Sequence, residues 1–284
     1  MLPYFSVVSF KLGPLTIFVW GFCVSLGFLA GILTAYFVCK KPPHSPPISP
    51  QAKQGELEGV DFNKIFNLSI LLLIFGLLGA RFFWWLEHLN EVNSFLDFIN
   101  IRGGGLSSLG GFIFAGVVLV IIWGLTKPYK LVGLRKPFSF LKYLDILAIG
   151  FVPLWIFSRL GCFLIHDHPG QLSNFFLAIN FPDGARFDMA FLEIILMILI
   201  GVSFLVWKPK KCGGYAVRII LIYSFVRFFL DFLRATDIPG SDPRYFGLTL
   251  AQYGMAVLFI AAALTIWRKC VMMKYSEKVF KINE

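Results

Sequence analysis

Seven stretches of the chain are predominantly apolar, and charged residues, proline and glycine collect between them. They lie near 15–39, 65–86, 103–125, 143–165, 188–207, 214–233 and 245–267. Each reaches about 20 residues, enough for a helix to cross a hydrocarbon core of about 30 Å. The pattern predicts an all-α, polytopic membrane protein with seven transmembrane helices, built as one integral membrane domain over 1–284. The first run is uncharged until Lys40-Lys41 and lacks an A-x-A site, so it reads as a retained helix rather than a cleaved leader. Between helices one and two, 40–63 opens on the Pro-rich, polar segment "KKPPHSPPISPQAKQGELEG", which predicts a flexible loop where His44 needs no functional reading. No internal repeat is visible.

Composition agrees: 57% of residues are apolar and 15% charged, far from the soluble norm. The net charge of +10 would suit a nucleic-acid partner, but its distribution points elsewhere. Lys40, Lys41, Lys53 and Lys64 lie between helices one and two; Lys127, Lys130, Arg135, Lys136 and Lys142 between three and four. Lys208, Lys210 and Lys211 separate five from six, and Arg268, Lys269, Lys274, Lys278 and Lys281 fill the tail. The alternate loops hold only Arg102, Arg186, Arg234 and Arg244, with Lys11 ahead of the first helix. This asymmetry predicts the N-terminus outside, the 40–63 loop and C-terminus in the cytoplasm, and no nucleic-acid partner. Cys23, Cys39, Cys162, Cys212 and Cys270 have no paired spacing, so neither a disulfide framework nor a metal centre is expected, and no cofactor is read.

Orientation gives each intramembrane charge a depth. Arg81 lies late in helix two, Arg159 late in helix four, Arg227 and Asp231 late in helix six, and Glu193 early in helix five. All five fall in the outer half of the bilayer. Each costs roughly 2.5–3.5 kcal/mol even on permissive insertion scales, so the cluster calls for mutual pairing or a ligand. The same level carries "IRGGGLSSLGG", whose Gly104, Gly105, Gly110 and Gly111 allow close backbone approach beside a helix N-terminus suited to an anion. Arg227 and Asp231 share a helix face, with Arg234 one turn on. Arginine forks suit phosphate, so these residues outline an outward-facing pocket for an anionic head group. Plainer readings stand beside this one. Arg227–Asp231 also reads as an intrahelical ion pair, Arg81 as a snorkelling side chain and the glycines as helix-packing positions. "RFFWWLEH" reads as an interfacial aromatic belt. Arg159 and Glu193 have apolar neighbours on both sides and resist such readings.

At these residues the chain resembles the bacterial phosphatidylglycerol–prolipoprotein diacylglyceryl transferases. "LLGARFFWW" resembles the family's Gly-Gly-Arg segment, and "GGGLSSLGG" its Gly-Gly-Met-Ser-x-His-Gly-Gly loop. "SRLGCFLIHDHPG" resembles its signature Gly-Arg-x-Gly-Asn/Cys-Phe-x-Asn/x-Gly segment, "FDMAFLE" sits where the family has His-Pro-Ser-Gln-Leu-Tyr-Glu, and "YSFVRFFLDFLR" resembles Phe-Arg-x-x-x-Glu-x-x-Arg. The matches run through helices two to six in order. Leu109 stands where the family loop has histidine, Phe187 replaces another histidine, Leu192 a tyrosine, and Asp231 a glutamate.

The resemblance implies transfer of a diacylglyceryl group from phosphatidylglycerol to the lipobox cysteine of a prolipoprotein, at the outer leaflet of the plasma membrane. The implied partners are phosphatidylglycerol, a prolipoprotein signal peptide and membrane lipid. Arg159 and Arg227 are expected to bind phosphate and Glu193 to hold an arginine or take a proton. Arg81, Gly170 and Arg234 join the substrate-binding set. Leu109 cannot serve as a base. His166 or His168, with Asp167 to orient it, is the substitute, against the reading of "HDHP" as an ordinary surface loop. Cys162 reads as a packing residue. The competing class is a diverged, non-catalytic lipid-head-group-binding protein. A transporter would show inverted repeats or charges through the membrane depth, and an intramembrane serine protease would need a base for Ser107-Ser108; neither is found.

Overall fold

The computed structural model describes residues 1–40, 57, 60–87, 89, 105–126, 140–209, 213–239 and 241–282, with side chains to 267. Seven long helices occur among them: α1 (Val19–Lys40), α2 (Phe62–Glu87), α3 (Ser108–Thr126), α4 (Phe140–Ile165), α5 (Met189–Val206), α6 (Gly214–Leu230) and α7 (Leu250–Ile282). Six contain spans long and apolar enough to cross a membrane: Val19–Lys40, Phe62–Leu86, Ser108–Leu125, Phe140–Ile165, Met189–Val206 and Leu250–Trp267. The remaining helix, α6, has 17 residues and continues into a 3-10 turn, Asp231–Leu233.

The all-α expectation needs correction outside the long helices. The runs read as helices from 15 and 245 each open on a hairpin strand. β1 (Ser9–Leu12) pairs antiparallel with β2 (Leu15–Phe18) around Gly13-Pro14, with Gly13 at φ 61°. β-branched and aromatic residues in Thr16-Ile17-Phe18 favour extension, and the Gly-Pro turn fixes the register. At the other end β6 (Arg244–Tyr245) pairs with β7 (Leu248–Thr249) through Phe246 (φ 51°) and Gly247 (φ 83°). Positive φ at both central residues gives the turn whose twist matches paired strands. A third sheet occupies the 166–187 loop: β3 (Pro169–Leu172), β4 (Ile179–Phe181) and β5 (Gly184–Asp188), ordered β3-β5-β4. Leu2 adds a bridge to Ile179. The predicted loop at 40–63 falls largely outside the described residues, as do Gly104 and Arg102.

The chain divides into two compact units. One takes in the described residues of 35–46 and 57–147. Its core is Ala35, Val60, Ile65, Leu68, Tyr143 and Ile146. There α2 and α3 pack backbone to backbone: a Cβ on Gly79 would meet Phe114 at 2.5 Å, and one on Gly110 would meet the Gly79 carbonyl at 2.4 Å. Lipid tails are as apolar as leucine, so such contacts rest on close packing between small residues.

The other unit holds 1–34 and 148–284. A Cβ on Gly31 would lie 2.7 Å from the Gly150 carbonyl oxygen, and one on Gly27 the same distance from that of Leu154, which sets the approach of α1 to α4. The start of α5 is fixed by Asp188, whose carboxylate caps the helix by accepting from Phe191 N–H at 3.0 Å. Met189, Ala190, Glu193, Met197 and Ile200 face inward from there.

Candidate active site

The second unit carries a buried ionic network assembled from α4, α5 and α6. Glu193, 1% exposed on α5, is its centre. Its Oε2 accepts from the Tyr223 hydroxyl at 2.8 Å and from the Trp155 indole N–H at 3.3 Å. Arg159 Nε lies 3.0 Å from the same oxygen, and Arg227 Nε 3.2 Å from Oε1. The Arg159 Nε–H is not aimed along its short contact, so that pair is electrostatic rather than a hydrogen bond. The guanidinium lies over the Trp155 ring, 4.7 Å from its centroid. The Tyr223 hydroxyl is a further hydrogen-bond partner of the Arg159 side chain. Its fork is thus held by Glu193, Tyr223 and Trp155.

A second layer supports Arg227. Its Nη1 donates to Asp231 Oδ1 at 2.8 Å, one turn along the helix. Asp231 is 1% exposed and accepts at Oδ2 from the Thr249 hydroxyl, which the β6–β7 hairpin brings in from far along the chain. Arg234 Nη1 lies 3.8 Å from Asp231 while its Nε pairs with Asp242 at 2.8 Å. Arg244 Nη2 donates to the Asp231 backbone carbonyl at 3.3 Å. Three guanidiniums (Arg159, Arg227, Arg234) therefore meet three carboxylates (Glu193, Asp231, Asp242), and Arg244 adds a surplus positive charge. Arg227–Asp231 is the intrahelical ion pair read from the sequence, and Arg227 reaches Glu193 as well.

The segment after α4 turns back on the helix. His166 sits at φ 54°, the left-handed conformation common where helices end. Its Nδ1 lies 2.7 Å from Asp188 Oδ2, and Tyr4, Phe5, Phe163 and Phe181 surround the ring. Nε2 is buried with no hydrogen-bond partner. His166 thus ties the end of α4 to the cap of α5. His168 differs: its side chain is 29% exposed and its Nε2 is 3.7 Å from Asp167 Oδ1. Burial, then the Arg159 and Arg234 charges, push the His168 imidazole down to about 3, leaving it neutral. Burial raises the Asp167 carboxyl to about 6, against the pull of Arg159. Gly170 is buried where the 231–235 segment crosses β3; a Cβ there would meet the Leu233 carbonyl at 2.8 Å.

Arg81 and the glycine segment belong to the first unit. Arg81 is 5% exposed: its Nη1 donates to the Gly105 carbonyl at 2.8 Å and its fork lies over Trp84. Gly105 has φ 81°, and a Cβ there would strike the Trp84 ring at 2.4 Å. Gly110 and Gly111 face α2, the packing reading, and Leu109 lies in the first turn of α3.

Sequence reasoning passed over Tyr223, Trp155, Thr249, Asp242 and Asp188. Tyr223 and Trp155 each lie one turn before an arginine of the network, so helical spacing was an available signal. Thr249 had none, because a distant hairpin delivers it.

With this geometry in place, comparison with known proteins gives a consistent answer. Residues 7–268 match the family model described as prolipoprotein diacylglyceryl transferase. The chain is 27% identical over 276 residues to phosphatidylglycerol–prolipoprotein diacylglyceryl transferase 1 of Clostridium perfringens, covering 92% of this chain and 95% of that protein. It is 24% identical over 282 residues to the corresponding transferase of Finegoldia magna, covering 98% of each. Against one from Clostridium botulinum, strain Langeland, it is 26% identical over 245 residues, covering 81% of this chain and 86% of that one. Multi-pass helical architecture and a family match over nearly the whole sequence agree: the chain belongs to the prolipoprotein diacylglyceryl transferase family of membrane enzymes.

Proposed function

We propose that the protein moves a diacylglyceryl group from phosphatidylglycerol to the lipobox cysteine of a prolipoprotein. The active site faces the outer leaflet of the bacterial plasma membrane, with seven spanning helices, the N-terminus outside and the C-terminus in the cytoplasm. The observation that carries this reading is Glu193 holding the guanidinium forks of Arg159 and Arg227 together in one buried network.

Such a fork takes the phosphate of a lipid head group in charge-assisted hydrogen bonds. The reaction needs it most as charge collects on the leaving phosphate, when preorganised donors in a water-poor site stabilise the transition state. Arg159 and Arg227 bind phosphate; Glu193, Tyr223 and Asp231 position them; Arg234 adds positive potential at the site. The lipobox sulfur attacks as thiolate. Leu109 offers no proton acceptor, so its activation falls to the 166–168 segment. His166 is caged and committed to Asp188, which leaves His168 beside Asp167, and bound lipid phosphate that neutralises Arg159 and Arg234 would raise its imidazole from the depressed value toward the range a proton acceptor needs.

The second reading is a diverged lipid-head-group-binding protein without transfer activity, favoured by Leu109 and Phe187. Complementation separates the two. Expressed in a bacterium depleted of its own transferase, the chain restores growth and lipoprotein lipidation, whereas Arg159→Ala does not at equal membrane abundance. Failure of the unaltered chain, at verified abundance, favours the binding protein.

A further inference from the structure

Polar side-chain ties between α4 and α5 fall at two levels, and only one belongs to the arginine network. At that level Trp155 and Arg159 meet Glu193. At the other, His166 Nδ1 lies 2.7 Å from Asp188 Oδ2, with both side chains fully buried. From Arg159 to His166 is about 10 Å along the chain's helical rise, and from Asp188 to Glu193 about 8 Å. Asp188 divides its carboxylate between two tasks. Oδ1 caps α5 by accepting from Phe191 N–H at 3.0 Å, and Oδ2 accepts from His166. The backbone is tied here too, since Met189 N–H donates to the His168 carbonyl at 3.0 Å. The N-terminal segment closes the pair off. Val7 N–H donates at 2.9 Å to the Leu164 carbonyl, which the last turn of α4 leaves open. Tyr4 stacks on the imidazole at 4.8 Å and Phe5 meets it edge-on at 5.4 Å, with Phe163 and Phe181 each 5.2 Å away. Nε2, the nitrogen left to accept a proton, is walled in without a hydrogen-bond partner.

We propose that His166 is a positioning residue for the transfer: its bond to Asp188 sets the rotation and axial register of α4 against α5, and so the place of Arg159 beside Glu193. This deepens the transferase reading and rests on it. Enclosed by four rings, the imidazole has no route to a lipobox thiol, and its work is done by Nδ1. In so apolar a setting a hydrogen bond is strong and an unpaired partner costly, so the pair holds one arrangement. The sheet and the Met189 backbone bond keep the helices joined without it. A misplacement of about 1 Å at Arg159 is nonetheless enough to cost on the order of 10²-fold in rate. The turn itself carries a second sign of this role. At φ 54° His166 occupies a conformation that glycine adopts without strain and asparagine tolerates. In the family segments that these stretches resemble, His166 and Asp188 fall on a glycine and a proline, and neither has a side chain that could make the bond. The tie is therefore this chain's own means of setting the two helices.

The test follows thioether formation on a lipobox peptide by the full chain in detergent with phosphatidylglycerol, alongside its melting temperature. His166→Asn places an amide N–H near the Nδ1 position, suits the left-handed turn and has no imidazole; it should keep most of the activity. His166→Gln carries its amide nearer the Nε2 position. Asp188→Ser still caps α5 but is too short to reach His166. Each of these two should lower kcat roughly tenfold or more with little change in KM. Pairing His166→Phe with Asp188→Ser removes both partners, so no buried carboxylate is stranded. Stability should then return toward that of the unaltered protein while kcat stays low. A His166→Asn protein as inactive as His166→Gln overturns the proposal and makes imidazole chemistry necessary. Activity that recovers with stability in the double variant, or equal kcat in every protein, overturns the positioning role and leaves the transferase reading intact. Absence of thioether from the unaltered chain overturns the transferase reading and this role with it.

Discussion

Glu193 is the carboxylate at the centre of the buried network. Two arginines, a tyrosine and a tryptophan converge on one buried carboxylate, and removing one partner of a buried ion pair costs about 3–5 kcal/mol. Glu193→Ala should therefore lower thermal stability in detergent micelles by that order and abolish lipidation. Tyr223→Phe, which deletes one hydrogen bond to a charged group, should cost about 1.5–3 kcal/mol and leave the fold intact. Arg159→Lys keeps the charge but replaces a planar fork with a point charge, so activity should fall with little loss of stability. A Glu193→Ala protein as stable as the unaltered one would contradict this account of the network. Arg159, Glu193, Arg227 and Asp231 were legible in the sequence because a charge inside an apolar run is conspicuous. Tyr223 and Trp155 were not, since the chain holds 9 Tyr, 7 Trp and 33 Phe, among which two rings that bond Glu193 do not stand out. The His166 cage draws Tyr4, Phe5 and Phe181 from distant segments, so no local pattern could report it.

Contacts between helices rest on glycines that admit no side chain. Gly79→Ala or Gly110→Ala would force a methyl group against backbone or ring atoms at 2.4–2.5 Å. Overpacking of that kind costs about 1–3 kcal/mol. Gly76→Ala is the contrast, because its Cβ would meet its nearest neighbour at an ordinary 3.8 Å. Melting temperatures in detergent should fall for the first two and stay level for the third. Arg186 of β5 clamps Asp237 through bonds of 2.9 and 2.7 Å, which hold the Asp237 carboxyl below its ordinary range. A carboxyl depressed on folding contributes fully above its unfolded pKa of about 3.9 and loses that contribution as pH falls through the lower folded value. Hydrogen exchange at 235–239 should then be protected equally by this tie from pH 5 to 8 and lose it only in strong acid. The seven long helices among the described residues fall on the apolar runs, and six of them are long and apolar enough to cross a membrane. The hairpins at 9–18 and 244–249 were not legible, because strand residues that continue into an apolar helix add no break in hydropathy.

For the whole molecule, the account requires an orientation as well as a fold. Lysines and arginines crowd alternate connections, so a reporter fused after Glu284 should be active only as a cytoplasmic fusion, and a cysteine introduced at Leu12 should react with an impermeant thiol reagent from outside. Labelling at Leu12 only after the cells are permeabilised would reverse the assignment. The central claim, that a buried carboxylate aims Arg159 at a lipid phosphate during thioether formation, is tested most directly in vitro. Purified protein is incubated with phosphatidylglycerol and a lipobox peptide, and the diacylglyceryl thioether is measured for the unaltered chain and for Arg159→Ala. The account predicts product from the first and a fall of about 10²–10³-fold in the second, the cost of losing one donor to transition-state charge. Equal product from both would contradict it.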